Sequence, residues 1–261
     1  MKSIATILSC LFFATRFAVA EIPDATLRQV VFEQKPGAQV SGALQFRDEA
    51  GRLVKLSDYL GDKPVILIPG YYRCPMLCTL VLNGAVEAMQ DLPKSIGKDF
   101  VVVNFSIDPA ETPQLAAAKK ANYLRQYGRP GADAGWHFLT GDEPAIRQLC
   151  DEIGFHYAYD PQIGQFAHPS GFVVLTPDGK ITRYFFGVNF SGKELDASLT
   201  AAASNHVEPG IRQLFLLCFH YSPITGKYGG LIVNITRVLG IATVLAIAAF
   251  ILRAARRPRK T

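Results

Sequence analysis

Cysteine is scarce in this chain, with five residues among 261. A chain of this length with so few cysteines does not need a disulfide framework, in contrast to small secreted domains. Cys74 and Cys78 lie close together, whereas Cys150 and Cys218 lie far from them. Two structural disulfides could use these four residues, but a functional dithiol explains the close pair more simply. Internal repeats and low-complexity segments are also lacking, which excludes a repeat architecture.

Basic residues are not in clear excess over most of the chain, although the formal net charge is +5. Much of that charge comes from the tail at 253–261, whose basic residues are Arg253, Arg256, Arg257, Arg259 and Lys260. Such a tail is typical of a segment that flanks a membrane, and we do not expect a nucleic-acid partner. Hydrophobic residues make up 49% of the sequence, which is enough for a core in one or two domains.

Residues 1–20 have the features of a secretory signal peptide. Lys2 is followed by a largely apolar run at 4–14, which is too short to span a bilayer, and the segment ends with small residues at 18–20. Arg16 is unusual so late in a signal, and an uncleaved anchor is the alternative. Cys10 faintly resembles a lipoprotein acylation site, although the apolar run continues past it.

Residues 231–252 form a longer apolar run, about the length needed to cross the hydrocarbon layer of a membrane. Arg237 interrupts the run near one end, from where its side chain can reach the interface. A buried core helix and an interfacial helix are the alternatives, and the basic tail argues against both. The positive-inside rule predicts a cytoplasmic C-terminus and a globular domain across the membrane, in the periplasm of a bacterium or another compartment of a eukaryote.

The stretch at 69–80 places the two close cysteines where a strand becomes a helix. Residues 65–68 are a continuous apolar run of strand length, and apolar residues recur at helical spacing from Leu80 onward. Pro75 suits the first helical position, which predicts Cys74 as the N-cap and Cys78 on the same face in the second turn.

The free amides and dipole of a helix N-terminus, together with Arg73, are expected to favour thiolate over thiol at both sulfurs. The pair is then a better nucleophile and a better metal ligand. Its spacing permits either a disulfide or a shared soft metal ion. The alternative is that Cys74, Cys78 or both are ordinary buried cysteines. An exposed turn at 70–73 makes that alternative less favourable.

The whole pattern predicts an α/β fold with one domain over residues 42–205. The first half contains an extended lead-in at 21–41, a hairpin at 42–47 and 52–56, a strand at 65–68, the cysteine helix, a strand at 100–107 and a helix at 112–128. Strand, helix, strand, helix is the βαβ arrangement of a parallel core. Functional groups gather beyond the carboxyl ends of such strands, where Cys74, Cys78 and Asp108 fall.

The second half continues with shorter elements. These are a strand at 136–139, a helix at 144–153, a short strand at 155–159, a hairpin at 171–175 and 181–186, a helix from Ser191 to Ser204 with a capping box to Glu194, and a juxtamembrane linker at 206–230. Cys150 shares a helix face with Ile146 and Ile153, and we expect it in the core.

Among the five histidines, His168 is the best placed to act as a third ligand. It lies in a loop that enters the strand at Gly171, and such a loop can lean over the dithiol turn. Two thiolates and one imidazole form a three-coordinate soft site suited to copper, with Cu⁺ favoured by sulfur and Cu²⁺ admitted by nitrogen. The alternative is a solvated loop histidine.

These residues together resemble the Sco/SenC family of thioredoxin-like copper proteins. The resemblance covers roughly residues 44–204 and is carried by Gly70-Tyr71-Tyr72-Arg73-Cys74-Pro75-Met76-Leu77-Cys78, by 106–109 with 111–112, and by His168 ahead of 175–181. It implies a thioredoxin-like fold with inserted hairpins and copper bound by Cys74, Cys78 and His168. It also implies that the protein delivers copper to, or reduces the thiols of, the dinuclear copper site of cytochrome c oxidase.

The partners that this resemblance implies are the copper-bearing subunit of the oxidase or another copper chaperone. Two features depart from the family pattern. Thr79 stands where the family commonly has a second proline, and many members have an N-terminal span, whereas the predicted span here is C-terminal. Neither departure removes a ligand. Outside the resemblance, Cys218 and His220 are either an accessory copper pair or part of an interfacial segment.

Other functions compete with copper carriage. Cys74 and Cys78 also suit a thiol-disulfide oxidoreductase or thiol peroxidase, in which Cys74 attacks and Cys78 resolves. A membrane-tethered binding module with an incidental disulfide is a third interpretation. The three-residue spacer and His168 favour a metallochaperone over an enzyme, because familiar dithiol reductases of this fold keep two residues between their cysteines. Asp108 either orients the site, helps a partner dock, or is a simple turn residue.

Overall fold

The structure is a computed structural model that describes residues 30–74, 77–161, 164–208, 238–245, 247 and 249. The chain divides into two units, Ile22–Ile211 and Met1–Glu21 with Arg212–Thr261. Several predicted features lie outside the described residues. They are the signal peptide at 1–20, residues 21–29 of the lead-in, residues 209–230 of the linker with Cys218 and His220, and the basic tail at 253–261.

The second of these units contributes only a few described residues, all of them helical, between positions 238 and 249. Within the described parts of the chain, no helix has the length and apolar character required to cross a membrane. Much of the predicted span at 231–252 lies outside the described residues.

The described part of the first unit contains eleven strands and four α-helices. The strands are β1 (Val31–Phe32), β2 (Gln45–Arg47), β3 (Leu53–Lys55), β4 (Val65–Gly70), β5 (Val101–Ser106), β6 (Trp136–Leu139), β7 (Phe155–His156), β8 (Ala158–Asp160), β9 (Gln165–Ala167), β10 (Gly171–Leu175) and β11 (Ile181–Phe186). The helices are α1 (Leu77–Gln90), α2 (Pro113–Tyr127), α3 (Glu143–Ile153) and α4 (Gly192–Ala203). Two short 3₁₀ helices lie at Leu56–Tyr59 and Ala132–Ala134.

A five-stranded sheet with the order β11-β10-β4-β5-β6 forms the centre of this unit. Strands β4, β5 and β6 are parallel, which confirms the predicted βαβ core. Strand β10 runs antiparallel to β4, with Val173 opposite Leu67, and β11 completes the predicted hairpin with β10. The amino end of β10 therefore lies beside the carboxyl end of β4. This pairing decides where the loops at these two strand ends meet.

Helices cover both faces of the sheet because its middle strands are apolar on both sides. One face, represented by Ile66 and Trp136, packs against α1, α2 and α4. The other face, represented by Leu67, packs against α3 and against Phe46 of the hairpin β2–β3. Cys150 of α3 is 1% exposed in this second core, which confirms its predicted core position.

The helix ends follow the chemistry of their terminal residues. Thr112 caps α2 through the N–H of Leu115, and Gly128 ends it with a φ of 73° that favours glycine. Ser191 accepts the N–H of Glu194 and opens α4 as predicted. The Glu194 carboxylate, however, pairs with Arg183 at 2.8 Å. The structure thus confirms the Ser191 cap of the predicted capping box, while the Glu194 side chain is engaged elsewhere.

Two small pairings were not predicted. Strand β1 pairs with β7, so that the described end of the lead-in lies in a sheet and buries Phe32 in the second core. The expected single strand at 155–159 is two strands, β7 and β8, and β8 pairs with β9 to form a separate two-stranded ribbon. This ribbon precedes the loop that carries His168.

Candidate metal centre

The two close cysteines lie between the end of β4 and the start of α1. Cys74 is 8% exposed and Cys78 is partly exposed, and neither takes part in a disulfide. The N–H of Cys78 donates to Sγ of Cys74 at 3.4 Å. The N–H of Tyr71 donates to Sγ of Cys78 at 3.5 Å. Helix α1 is described from Leu77, and the predicted helix start at Pro75 lies outside the described residues.

His168 lies in the loop between β9 and β10, where the pairing of β10 with β4 brings it to the cysteines. Its Nε2 atom is 2.8 Å from Sγ of Cys78, although ninety positions separate the two residues. Its Nδ1 atom donates to the carbonyl oxygen of Pro169 at 2.8 Å. Because a carbonyl can only accept, this hydrogen bond fixes the proton of a neutral ring on Nδ1 and leaves the Nε2 lone pair directed at the sulfur.

The surroundings of His168 are apolar. The side chain is 8% exposed, and the rings of Tyr71 and Phe155 each pack with their centroids 5.8 Å from the imidazole centroid. His168 is therefore not a solvated loop histidine, which was the alternative left open by the sequence.

Cys74, Cys78 and His168 form a group whose ligand atoms all lie within 4.8 Å of one another. Within the described residues this is the single His, Cys, Asp or Glu cluster close enough to hold a metal ion. Bonds from a metal ion to thiolate and imidazole are about 2.0–2.3 Å long, so one ion can contact all three atoms after small side-chain movements. Two sulfurs and one nitrogen are a soft donor set that fits copper.

The protonation of Cys78 differs from the expectation. Burial raises the pKa of the Cys78 thiol well above its usual range, and the neighbouring Cys74 sulfur raises it further. The prediction that a helix N-terminus and Arg73 make this sulfur a thiolate is therefore wrong for Cys78. The physical reason is desolvation, which disfavours the charged form more than the amide of Tyr71 favours it.

A buried carboxylate to which the sequence analysis assigned no role supports the dithiol turn. Glu111 is 5% exposed and accepts hydrogen bonds from the backbone N–H groups of Tyr72 and Arg73 at 2.7 and 2.6 Å. Ser106 donates a third hydrogen bond to it at 2.6 Å. The signals for it were its position just beyond the carboxyl end of β5 and its place in the stretch 111–112, which carries part of the family resemblance.

Asp108 belongs to the same strand end but not to the ligand group. Its Oδ1 atom accepts the N–H of Ala110 at 2.9 Å, and its own N–H donates to Ser106. This is the pattern of a turn residue. Asp108 also lines a cleft of about 710 Å³ beside the dithiol turn, together with Arg73, Arg147 and Phe166.

The fold and the site together define a thioredoxin-like protein in which two thiols and an imidazole lie close enough to hold a metal ion. The particular family follows from comparison with known proteins, since the SCO1/SenC family model matches residues 32–204. The chain belongs to the SCO1/SenC family.

Similar proteins support this placement. Protein sco1 of Schizosaccharomyces pombe is 24% identical over 163 residues, which cover 60% of this chain and 58% of that protein. A candidate electron transfer protein from Aquifex aeolicus VF5 is 29% identical, with a TM-score of 0.57 and coverage of 66% of this chain and 96% of that one. ScoI of Arabidopsis thaliana, solved with copper bound, is 20% identical, with a TM-score of 0.51 and coverage of 64% and 99%.

Proposed function

We propose that this protein is a copper chaperone that carries one copper ion on Cys74, Cys78 and His168 and delivers it to the dinuclear copper site of cytochrome c oxidase. The observation that carries the proposal is the convergence of two thiols and one imidazole within 4.8 Å. Membership of the SCO1/SenC family and the copper bound to the Arabidopsis thaliana relative support copper as the cargo. The sulfurs favour Cu⁺, and the nitrogen also admits Cu²⁺.

The metal-free site is arranged to exchange a proton for the cargo. At 2.8 Å, the Cys78 thiol is placed to donate a hydrogen bond to Nε2 of His168, and its proton must leave when the sulfur becomes a ligand. Cys74 is buried and Cys78 is partly exposed, so an incoming donor or acceptor ligand approaches from the Cys78 side. The rings of Tyr71 and Phe155 restrict water around the imidazole.

The site also bears on the competing redox function, which two cysteines outside any disulfide favour. In that function Cys74 attacks and Cys78 resolves. A reductase of this kind has no use for the imidazole that contacts Cys78. Reduction of the oxidase thiols by the same pair is therefore the secondary proposal, behind copper delivery.

The location of the protein is part of the proposal and depends on sequence arguments. Removal of residues 1–20 and insertion of 231–252 place the globular domain in the periplasm, with the C-terminus in the cytoplasm. The copper-bearing oxidase subunit or another copper chaperone is then the partner on the same side. Reporter fusions after residue 208 and after residue 261 test this topology, which requires them to report opposite sides of the membrane.

The experiment for copper carriage compares the full chain, purified in detergent, with His168→Ala and with the control His156→Ala. His156 is a partly exposed histidine of β7 outside the ligand group. We expect one Cu⁺ per chain, and a loss of affinity by orders of magnitude in His168→Ala alone. Thiol titration must show that the dithiol of this variant is still reducible.

The result that contradicts copper carriage is equally specific. Unchanged copper affinity in His168→Ala, combined with catalytic turnover of a disulfide substrate by the wild-type chain, would assign the site to redox chemistry.

A further inference from the structure

The Glu111 carboxylate connects the loop after β5 with the dithiol turn. One oxygen, Oε2, accepts the N–H of Tyr72 and the hydroxyl of Ser106, and the other, Oε1, accepts the N–H of Arg73. The two backbone amides belong to the residues immediately before Cys74. Glu111 therefore holds the segment that enters the metal-ligand set.

The chemistry of this contact requires a carboxylate. All three groups directed at Glu111 are donors, and an ionised carboxylate is a pure acceptor with two oxygens. A glutamine of the same size would place an NH₂ group against one of these donors. A buried amide left without an acceptor costs about 1–3 kcal/mol, so the turn would move to satisfy it.

Burying a carboxylate is itself unfavourable, which makes a purely incidental contact a poor explanation. Burial raises the pKa of Glu111 above its usual value, and the hydrogen bonds from Ser106, Tyr72 and Arg73 offset only part of this rise. The turn thus stabilises the carboxylate, and the carboxylate fixes the turn. The helix α1 and the strand β4 on either side of the turn are held separately by the core.

We propose that Glu111 is a positioning residue for the metal centre: it fixes the backbone of Tyr72 and Arg73 so that Cys74 Sγ stays within reach of Cys78 and His168. This inference deepens the proposed copper function and depends on it. Glu111 contacts neither the ligand atoms nor the cargo. It acts through the turn, and its loss is expected to relax the position of Cys74 while the core of the domain remains folded.

The test compares Glu111→Gln with a matched control, Glu49→Gln, in the full chain. Glu49 is also a largely buried carboxylate that accepts a backbone amide, but from Phe138 rather than from the dithiol turn. We expect Glu111→Gln to weaken Cu⁺ binding by about 10- to 100-fold, the usual cost of losing a group that supports a ligand. Glu49→Gln should lose thermal stability and keep its copper affinity within about twofold.

A second measurement separates the positioning role from copper binding itself. Hydrogen exchange of the metal-free protein should show faster exchange at the amides of Tyr72 and Arg73 in Glu111→Gln, but not in Glu49→Gln. If the wild-type protein binds no copper while the two variants still differ in amide exchange in this way, the copper function is refuted. The contact between Glu111 and the dithiol turn then still stands.

Two results overturn the inference. One is wild-type copper affinity in Glu111→Gln. The other is an equal loss of affinity in Glu49→Gln at a similar loss of thermal stability.

If Glu111→Gln does not fold, Glu111→Asp provides the same comparison, because its shorter side chain keeps the charge but does not reach both amides. Wild-type affinity in a folded Glu111→Asp would count against the inference, and weakened binding would support it.

Discussion

The side chain of Tyr71 interacts with the sulfur of Cys74. The same residue donates its N–H to the sulfur of Cys78 at 3.5 Å and packs its ring edge-on against His168. Burial raises the pKa of the Tyr71 hydroxyl well above its usual range, and the neighbouring Cys74 raises it further. The hydroxyl therefore keeps its proton. One side chain and its amide thus contact all three proposed ligands.

We expect Tyr71→Phe to weaken Cu⁺ binding by about two- to tenfold, because it removes the hydroxyl group that interacts with a ligand sulfur and keeps the ring. Competition with a chromogenic Cu⁺ chelator measures the change. The control is Tyr184→Phe, which removes hydrogen bonds with the backbone of Ile153 and Lys35 in the same core but outside the ligand group. That variant should lose stability and retain full copper affinity. Equal affinities in wild type and Tyr71→Phe would show that the hydroxyl does not support the site.

A second prediction concerns acid stability. Burial raises the pKa of Glu49, but the interactions with His137, at 3.8 Å, and with Lys120 outweigh it and hold the pKa at about 2. Since the folded pKa lies below the usual value of 4.5, Glu49 stabilises the fold above pH 4.5 and loses this contribution as the pH falls toward 2. The contribution is on the order of 2 kcal/mol after allowance for solvent screening.

Urea unfolding of wild type and Glu49→Gln across pH 6 to 2 tests this prediction. The gap in free energy of unfolding between the two proteins should narrow as the pH falls. A gap that is constant over this range would mean that the carboxylate charge contributes nothing to stability.

A third prediction concerns Gly84 in α1, where we expect replacement of a helical glycine by alanine to destabilise rather than stabilise. Replacing a helical glycine with alanine normally stabilises by about 1 kcal/mol. A Cβ atom at Gly84 of α1, however, would lie 1.9 Å from the backbone oxygen of Val188. We expect Gly84→Ala to destabilise the domain by about 1–3 kcal/mol, because backbone must move to make room. Asn83→Ala, one position earlier, should be neutral or stabilising in the same thermal unfolding experiment. A more stable Gly84→Ala would contradict the close packing.

A fourth prediction concerns Cys150. Burial raises the pKa of this thiol, and its side chain is 1% exposed. We expect native Cys150 to react with iodoacetamide at least about tenfold more slowly than in the denatured chain, because the thiolate is the reacting species. Mass spectrometry of the peptide containing Cys150 measures the rate. Recovery of Cys150 in a disulfide with Cys74 or Cys78 would contradict its assignment to the core.

The sequence was sufficient to predict the elements with strong patterns. The apolar run of β4, the cap of Thr112 on α2 and the hairpin of β10 and β11 all follow from local periodicity or local chemistry, and the structure confirms them. The grouping of Cys74, Cys78 and His168 was predicted as well, because these are chemically distinctive residues in a recognisable order, and the structure brings their candidate ligand atoms together.

The remaining features depend on contacts between distant residues. Strands β1 and β7 have two residues each, too few for a periodic signal, and their pairing joins positions more than a hundred residues apart. The Glu111 contact joins Arg73 to a residue 38 positions later. The raised pKa of Cys78 was missed because the local argument from the helix terminus omits burial, which is set by the whole fold.

The position of His168 also has a consequence for when cargo can be accepted. The imidazole follows the second sulfur by ninety residues, and β10, which brings it to that sulfur by pairing with β4, is later still. A nascent chain that ends before this strand has no means of holding the imidazole beside the sulfurs. Under the proposed function, three-ligand binding therefore requires the completed domain.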